Sequence, residues 1–247
     1  MTDSLKNEIG RNGFALLAGV YGDGEIDHIL SELLPALQRL QEEAESVRSR
    51  AGCVYAARNV LSLYPAAGGI WQKPRLLQLL GAVLGSDIGL VRVLYFDKPP
   101  DRTWTLPWHK DLSIAVQPTG VDAASDYRLS YKAGVPHVEA PVSVLHSMLT
   151  LRLHLDAVTA ENGPLKIVAG SHQTGKRLTL DDGPHRSILA GRGDVLAMRP
   201  LVSHCSGRSA AGISQHRRIL HFEFSGMRDL PDGLQWHRFI PPGHEDR

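Results

Sequence analysis

The stretch Leu165–Arg177, LKIVAGSHQTGKR, supports two opposed readings, and the choice between them decides the fold. Gly170, four intervening residues, Gly175 and Lys176 reproduce most of the phosphate-cradling pattern G-x-x-x-x-G-K-[ST], and the apolar LKIVA has the character of the strand that should precede it. That pattern works only if a helix begins at the Lys-Ser/Thr pair, because the helix's N-terminal amides hold the anion. Here Arg177 stands where the hydroxyl residue should be, and the turn-forming DDGP of residues 181–184 follows closely. No helix fits. The stretch reads as a turn between two strands, and nucleotide binding there is set aside.

Its surroundings carry the same texture. Short runs with alternating or β-branched character follow one another from residue 88: IGLVRVLYF (88–96), SIAV (113–116), MLTLRLHLD (148–156), LKIVA (165–169), GDVLAMRP (193–200) and RRILHFEF (217–224). Gly, Pro, Asn and Asp punctuate them, as in ENGP (161–164). No helix-length segment separates these strands, which disfavours a parallel βαβ fold and favours a sandwich or barrel. Residues 24–49 are expected to be helical, since Ile26, Ile29, Leu30, Leu33, Leu34, Leu37 and Leu40 recur at helical spacing. Pro35 is expected to kink or divide that helix. A second helix is expected over 74–84, with Pro74 in its first turn. The chain is therefore mainly β with N-terminal helices packed on one side.

Composition bounds the function. The 247 residues are 43% hydrophobic and 21% charged, as in ordinary globular proteins, and 27 basic against 26 acidic residues leave a formal charge of +1. That balance offers no electrostatic case for nucleic acid or an anionic membrane. The apolar stretch Phe14–Tyr21 is too short to span a bilayer, and the polar start lacks a secretory apolar region. Two cysteines, Cys53 and Cys205, provide neither a disulfide framework nor a Cys-rich zinc site. A cytoplasmic setting is the simplest expectation.

The chemistry-bearing stretch is Leu106–Leu112, LPWHKDL. On a strand, residues i and i+2 share a face, so His109 and Asp111 are expected to present an imidazole and a carboxylate side by side, with Lys110 turned away. These are two members of a 2-His-1-carboxylate triad, which leaves metal positions open for substrate and oxygen. The third member has to come from a distant strand. His204, in RPLVSHCSG (199–207), follows the strand-like GDVLAM after a turn. Thirteen positions further on, Arg217 opens RRILHFEF, where a guanidinium facing the interior would pair with a carboxylate. Lys98 and Trp108 flank the metal strand; Lys98 is a candidate contact for a co-substrate, and Trp108 a packing residue.

Five ordered blocks resemble the phytanoyl-CoA dioxygenase-like family of Fe(II)/2-oxoglutarate-dependent oxygenases. They are NGFALLAGVYGDGEIDHIL (12–30), YFDKPPDRTWTLPWHKDLSIAV (95–116), LTLRLHLDAVTAENGPLKIVAGSH (149–172), LVSHCSGRS (201–209) and RRILHFEF. The resemblance implies one oxygenase domain over 1–247 with a double-stranded β-helix (jelly-roll, cupin-like) core. Residues 1–87 would be helical support, 88–226 the core, 117–147 a lid or insertion, and 227–247 a C-terminal extension. It implies that His109, Asp111 and His204 bind Fe(II), that Arg217 holds the distal carboxylate of 2-oxoglutarate, and that Ser206 places a hydroxyl beside that arginine. Arg217 and Arg218 are adjacent, and alternation lets only one face inward; Arg217 is favoured by its distance to Phe224. With O2 as the other co-substrate, the implied reaction is hydroxylation of a C–H bond in a small organic metabolite, releasing succinate and CO2. Related halogenases replace the carboxylate ligand by a small residue, so Asp111 favours hydroxylation. The alternatives are the same oxidising chemistry diverted to desaturation, cyclisation or epimerisation, and a non-catalytic metal-binding cupin-like protein.

Other residues carry two readings. His146, His154, His172 and His221 lie in or beside core segments, where His154 and His221 either orient a ligand or are hydrogen-bonded barrel residues. Cys205 is a buried thiol or an oxidation-prone neighbour of His204. Arg192-Gly-Asp194 reads as a turn. Residues 117–147, with Tyr127, Arg128, Tyr131, Lys132 and His137, have no obvious secondary structure and read as a closing loop or a surface insertion. Arg128 and Lys132 are compatible with the basic mouth that a CoA thioester needs, but a small free metabolite is favoured. The oligomeric state is left open.

Overall fold

The computed structural model describes residues 2–39, 46–49, 52–118, 127–180 and 185–243. Its N-terminal third is helical with a few strands. Helix α1 (Thr2–Asn12) leads into strand β1 (Phe14–Leu17), and α2 (Asp23–Gln38) buries Ile26, Ile29, Leu30, Leu33 and Leu37 along one face. Pro35 does not divide α2. It lies in the last turn, where the lost donor removes one hydrogen bond while buried Ala36 and Leu37 anchor the end of the helix. The helix is shorter than expected. Residues 40–45 lie outside the described residues, and the chain resumes as strand β2 (Ser46–Arg48) and strand β3 (Val54–Ala57). Short helices α3 (Val60–Leu63) and α4 (Ala67–Ile70) follow, then α5 (Pro74–Leu84), with Pro74 in its first turn as expected.

The remainder is a roll of antiparallel strands. These are β4 (Gly89–Phe96), β5 (Leu106–His109), β6 (Ser113–Ala115), β7 (Ser130–Lys132), β8 (Val135–Glu139), β9 (Met148–His154), β10 (Leu165–Ile167), β11 (Arg186–Ile188), β12 (Val195–Met198), β13 (His204–Ser206) and β14 (Ile219–Ser225), with helix α6 (Val142–His146) before β9. A seven-stranded sheet has the order β1-β12-β9-β14-β4-β3-β2, and a four-stranded sheet the order β11-β10-β13-β5. This is the jelly-roll core.

Strand alternation sorts the two faces of the larger sheet. Val93, Tyr95, Leu149, Leu151, Leu153, Leu220, Phe222 and Phe224 join the helices in one apolar cluster. The alternate positions Arg92, Arg152, His154, His221 and Glu223 are buried or nearly so, and by the period of two they face into the roll. One end of that interior is apolar: Leu196 and Met198 of the larger sheet meet Leu165 and Ile167 of the smaller and Val202 of the segment before β13. The other end is charged.

Residues 127–147 are not structureless. They form a hairpin and helix α6, and β6, β8 and β7 make a third sheet in that order. The hairpin closes on Ala133 and Gly134, both at positive φ (51° and 74°), as a two-residue turn with right-handed strand twist requires. Its weak sequence signal has a physical cause: Val138 is buried in one cluster with Ile114 and Trp236, residues far away along the chain. Residues 119–126 of the same segment lie outside the described residues.

The helical cluster meets the sheet at Trp71, which is fully buried and edge-on to Phe224, with centroids 4.9 Å apart at 67°. Its indole N–H has no hydrogen-bond partner. Trp71→Ala is expected to lower the unfolding free energy by about 3–5 kcal/mol. Trp71→Phe should cost well under half of that, because it keeps most of the packing and removes the unsatisfied donor. Urea denaturation of the two variants beside the wild type measures the difference.

Candidate metal centre and cavity

The site begins with a register. Strand β13 pairs antiparallel with β5 so that His204 lies opposite His109, with an irregularity before Ser206 pairs with Leu106. Cys205 on β13 thus answers two residues on β5, a bulge at Pro107–Trp108. Pro107 cannot donate to a ladder and suits a bulge on an edge strand. The two imidazole rings end up 4.1 Å apart, centroid to centroid.

Asp111 arrives differently from the expectation. The strand ends at His109, so Asp111 is not the next-but-one residue of a strand. Its backbone N–H donates to the Pro200 carbonyl at 3.0 Å, which ties it to the segment preceding His204. Its carboxylate lies 3.6 Å from His109 Nε2 through Oδ1 and 3.7 Å from His204 Nε2 through Oδ2. One atom from each residue falls within 4.8 Å of the others. Each ring nitrogen Nδ1 is engaged by the carbonyl two residues before it, Pro107 for His109 (2.8 Å) and Val202 for His204 (2.9 Å). That contact keeps the Nδ1 proton in place and turns the Nε2 lone pair toward the shared centre.

Electrostatics fits a cation at that centre. Burial pushes the His204 imidazole down to about 4, with Asp111 opposing it in part. Burial also works against charge on His109, but the neighbouring Asp111 raises it above its ordinary value. Burial alone would raise the Asp111 carboxyl; the surrounding imidazoles, His204 first, hold it far below the usual range instead. Asp111 Oδ2 is buried without a hydrogen-bond partner. Two imidazoles that both present Nε2, and a carboxylate with one oxygen unpartnered among the described residues, form a donor set suited to a divalent transition metal.

Lys110 turns away from this centre, as expected, and its destination explains the look-alike loop. Its buried ammonium donates to the Ser171 carbonyl (2.8 Å), the Thr174 hydroxyl (3.0 Å) and the Gly175 carbonyl (2.7 Å). Residues 171–174 form a single 3-10 turn, which aims carbonyls rather than amides at its occupant. The loop is a lysine cage. The Ser171 hydroxyl also accepts from the Ser203 N–H at 2.8 Å, so one turn braces both His109–Asp111 and His204.

A cavity of about 290 Å³ opens beside the triad, lined by Leu94, Phe96, Trp104, Leu106 and Leu165 among others. Arg217 lines it and is buried to 2% exposure. Arg218 points elsewhere and forms a bidentate pair with Asp156 at 2.8 and 2.7 Å. Ser206 also lines the cavity. Its hydroxyl is engaged by Lys98 at 3.2 Å rather than by Arg217. Lys98 does not line the cavity: its ammonium sits behind Ser206 on the carbonyls of Gly163 and Gly207, and burial lowers it to about 7, helped by Arg217 and Arg152. Gly163, in the ENGP turn, is at φ 72°, and a Cβ there would lie 2.6 Å from the Gly207 carbonyl and 2.8 Å from the ammonium. Trp108 stacks on His185. His154 is a hydrogen-bonded barrel residue, its ring meeting the Asp194 carbonyl at 3.1 Å. Residues 192–194 form the expected turn, with both Asp194 oxygens taken by backbone N–H groups of Gly19 and Gly191.

A buried polar chain along the larger sheet had not been anticipated. Arg152 meets His221 Nδ1 at 3.0 Å, His221 Nε2 lies 3.4 Å from Glu223, and Glu223 is held by Arg92 at 2.8 and 2.6 Å. Arg92 then reaches His137 Nε2 at 2.7 Å. The signal was in the sequence. Thr150, Arg152 and His154, like His221 and Glu223, are polar at every second position of strands whose other positions are apolar.

Similarity to known proteins agrees with this geometry. The sequence matches the phytanoyl-CoA dioxygenase (PhyH) family over residues 9–218, so the chain belongs to that family. No curated protein matches it. Among solved structures, the epimerase SnoN from nogalamycin biosynthesis, in complex with Fe3+, alpha-ketoglutarate and nogalamycin RO, superposes with a TM-score of 0.66 at 20% identity, covering 100% of this chain and 96% of that one. The non-haem alpha-ketoglutarate-dependent carbocyclase SnoK gives 0.65 at 14% identity, over 91% of this chain and 84% of that one. EvdMO1 gives 0.63 at 21% identity over 91% of this chain, which spans only 49% of that protein. At these identities the likeness concerns the fold. No helix among the described residues is long and apolar enough to cross a membrane.

Glu223, with Asp111, sets the acid response expected of this interior. Burial raises its carboxyl, but Arg92 and His221 prevail and hold it at about 2, below its ordinary value. A depressed folded-state value means stability present above about pH 4.5 and lost as the pH falls toward 2. Glu223→Gln should destabilise the protein at pH 7 by about 3–5 kcal/mol, because Arg92 loses its buried partner. It should also flatten the decline of stability between those two pH values, which denaturant titrations across the acid range would record.

Proposed function

We propose that this chain is a non-haem Fe(II)/2-oxoglutarate-dependent oxygenase acting on a small organic molecule. The convergence of His109, Asp111 and His204 on one point, with both imidazoles locked to present Nε2, carries the reading. These three side chains would hold the iron. Arg217, a buried guanidinium whose Nε has no partner, would hold the distal carboxylate of 2-oxoglutarate by charge-assisted hydrogen bonds. Bound together, the metal and co-substrate would supply an oxidant for C–H cleavage at the expense of O2, with succinate and CO2 as the co-products.

The chain contributes position and enclosure. Lys110 in its carbonyl cage and Ser171 on Ser203 hold the ligand-bearing segments in place. Leu94, Phe96, Leu106 and Leu165 keep water from the centre, and Ser206, steadied by Lys98, presents a hydroxyl to the same cavity. The presence of Asp111 favours hydroxylation of the substrate. Epimerisation or ring formation is the second reading, because SnoN and SnoK share the fold. A non-catalytic metal-binding barrel gives no reason to bury Arg152 and Arg217 without anions.

Anaerobic addition of Fe(II) and 2-oxoglutarate to the metal-free protein should produce the visible metal-to-ligand charge-transfer band. His109→Ala should abolish it. Arg217→Ala should raise the 2-oxoglutarate concentration needed at least ten-fold, and Arg218→Ala should leave it unchanged. A wild type that binds iron yet develops no band would overturn the assignment. With a substrate in hand, 18O from O2 found in the product marks hydroxylation, and its absence marks one of the diverted outcomes.

A further inference from the structure

The cavity holds more positive charge than its proposed cofactors neutralise. Its lining includes Arg58, Arg92, Lys132, Arg152 and Arg217 against the carboxylates of Asp111 and Glu223. Glu223 is committed to Arg92, and Asp111 belongs to the metal triad. Loading changes nothing in this balance, because Fe(II) brings two positive charges and 2-oxoglutarate two negative ones. Arg217 would take the co-substrate's distal carboxylate, and Arg152 has hydrogen-bonding contact with His221 alone while its Nε stays unpartnered. Arg58 and Lys132 remain at the mouth, and neither has a hydrogen bond or ion pair with any described residue.

These two cations come from distant parts of the chain and are brought together by a specific contact. Arg58 follows the end of β3, and Lys132 is the last residue of β7, just before the hairpin turn. The Asn59 side-chain amide donates to the Ala133 carbonyl at 2.9 Å, so the neighbours of the bonded pair, Arg58 and Lys132, flank one contact and face one cavity. Like charges held side by side disfavour each other. Burial lowers the Lys132 ammonium below its ordinary value, and Arg92 and Arg58 lower it further against the opposing pull of Glu223 and Asp111; burial lowers Arg58, and Arg92 adds to it while Glu223 opposes. Two cations that share one cavity with no carboxylate among the described residues bound to either, and only Glu223 and Asp111 at longer range to offset them, are what a binding site for an anion looks like before the anion arrives.

We propose that the primary substrate of this oxygenase is a small organic anion, whose carboxylate or phosphate group is clamped between Arg58 and Lys132 while its carbon skeleton extends toward the metal centre. The inference rests on the oxygenase reading for what it calls the substrate, but the anion site itself is independent of metal. Arg58 and Lys132 are then specificity residues: a neutral analogue of the same shape would leave both charges facing each other in a partly desolvated mouth and would be rejected.

Isothermal titration calorimetry tests this with benzoate, phenyl phosphate and neutral benzamide as probes. The protein is loaded anaerobically with Fe(II) and 2-oxoglutarate, and a metal-free sample is run in parallel. At least one of the two anions should bind and benzamide should not. Arg58→Gln and Lys132→Gln should each weaken anion binding ten-fold or more, while 2-oxoglutarate affinity, read from the charge-transfer band, shifts less than two-fold. Arg128→Gln, an exposed cation of the same segment outside the cavity, should change neither. Binding of benzoate alone points to a carboxylate substrate, and of phenyl phosphate alone to a phosphate ester. Neither anion binding, equal binding of benzamide, wild-type affinity in both variants, or displacement of 2-oxoglutarate by the probe would overturn the proposal. Loss of the band with anion binding retained on the metal-free protein would sink the oxygenase reading and leave the anion site standing.

Discussion

The pairing of β13 with β5 is the constraint on which the rest of this site depends. Opposite residues of an antiparallel pair carry their Cβ atoms within about 5.5 Å of each other, so once His204 faces His109 the two imidazoles have to share a space. The bulge at Pro107 and the two backbone carbonyls then orient the rings. Asp111 is drawn in by its N–H bond to Pro200, which lies on the approach to His204. Two short segments, residues 109–111 and 200–204, are enough to assemble three donor atoms.

Such a short strand pair does not hold itself in place. β5 is an edge strand with four residues, and β13 has three. Their support comes from Lys110 and the 3-10 turn at Ser171. The ammonium replaces its water with two carbonyls and a hydroxyl, so burying it leaves no unsatisfied donor geometry. The turn that resembles a phosphate loop thus does the opposite job, holding a cation with carbonyl oxygens. Its contacts reach both strands of the pair.

The roll interior is divided between cohesion and chemistry. Leu165, Ile167, Leu196, Met198 and Val202 fill one end, while the helix-facing side of the larger sheet supplies the largest apolar cluster. That leaves the other end free to hold Arg92, Arg152, Arg217, His221 and Glu223, groups whose burial is costly unless they are paired. Arg92 with Glu223 is paired within the chain. Arg152 and Arg217 are not, and buried cations with open donors define a place for anions. The polar interior is therefore stable as a fold because the opposite face of each strand is apolar, and open to anions because its own charges are incompletely matched.

Much of this was legible in the residues. Periodicity identified the helix at 74–84, the start and buried face of the helix expected over 24–49, and most of the longer roll strands, because amphipathic alternation is a local property. His109, Asp111 and His204 stood out because residue types and order were both informative, and the polar alternation of Thr150, Arg152 and His154 was readable though it went unread. What failed was what depends on distant partners. The helix expected over 24–49 gives way before 46 to a strand that needs β3 beside it. The segment 117–147 looked structureless because β7 and β8 are stabilised by each other, by β6 and by Trp236. Adjacent Arg217 and Arg218 could not be separated by alternation alone, since parity says that they face opposite ways but not which faces in; that was decided by Asp156, 62 positions away, which takes Arg218. The sequence by itself determined which side chains are available for chemistry and which faces of the strands are apolar. Only the tertiary structure decided that His109 meets His204, that Lys110 closes the loop at Ser171, and that Asn59 meets Ala133 and so brings Arg58 and Lys132 to one cavity, because each pairing is a contact across many residues whose register is set by packing and not by local preference.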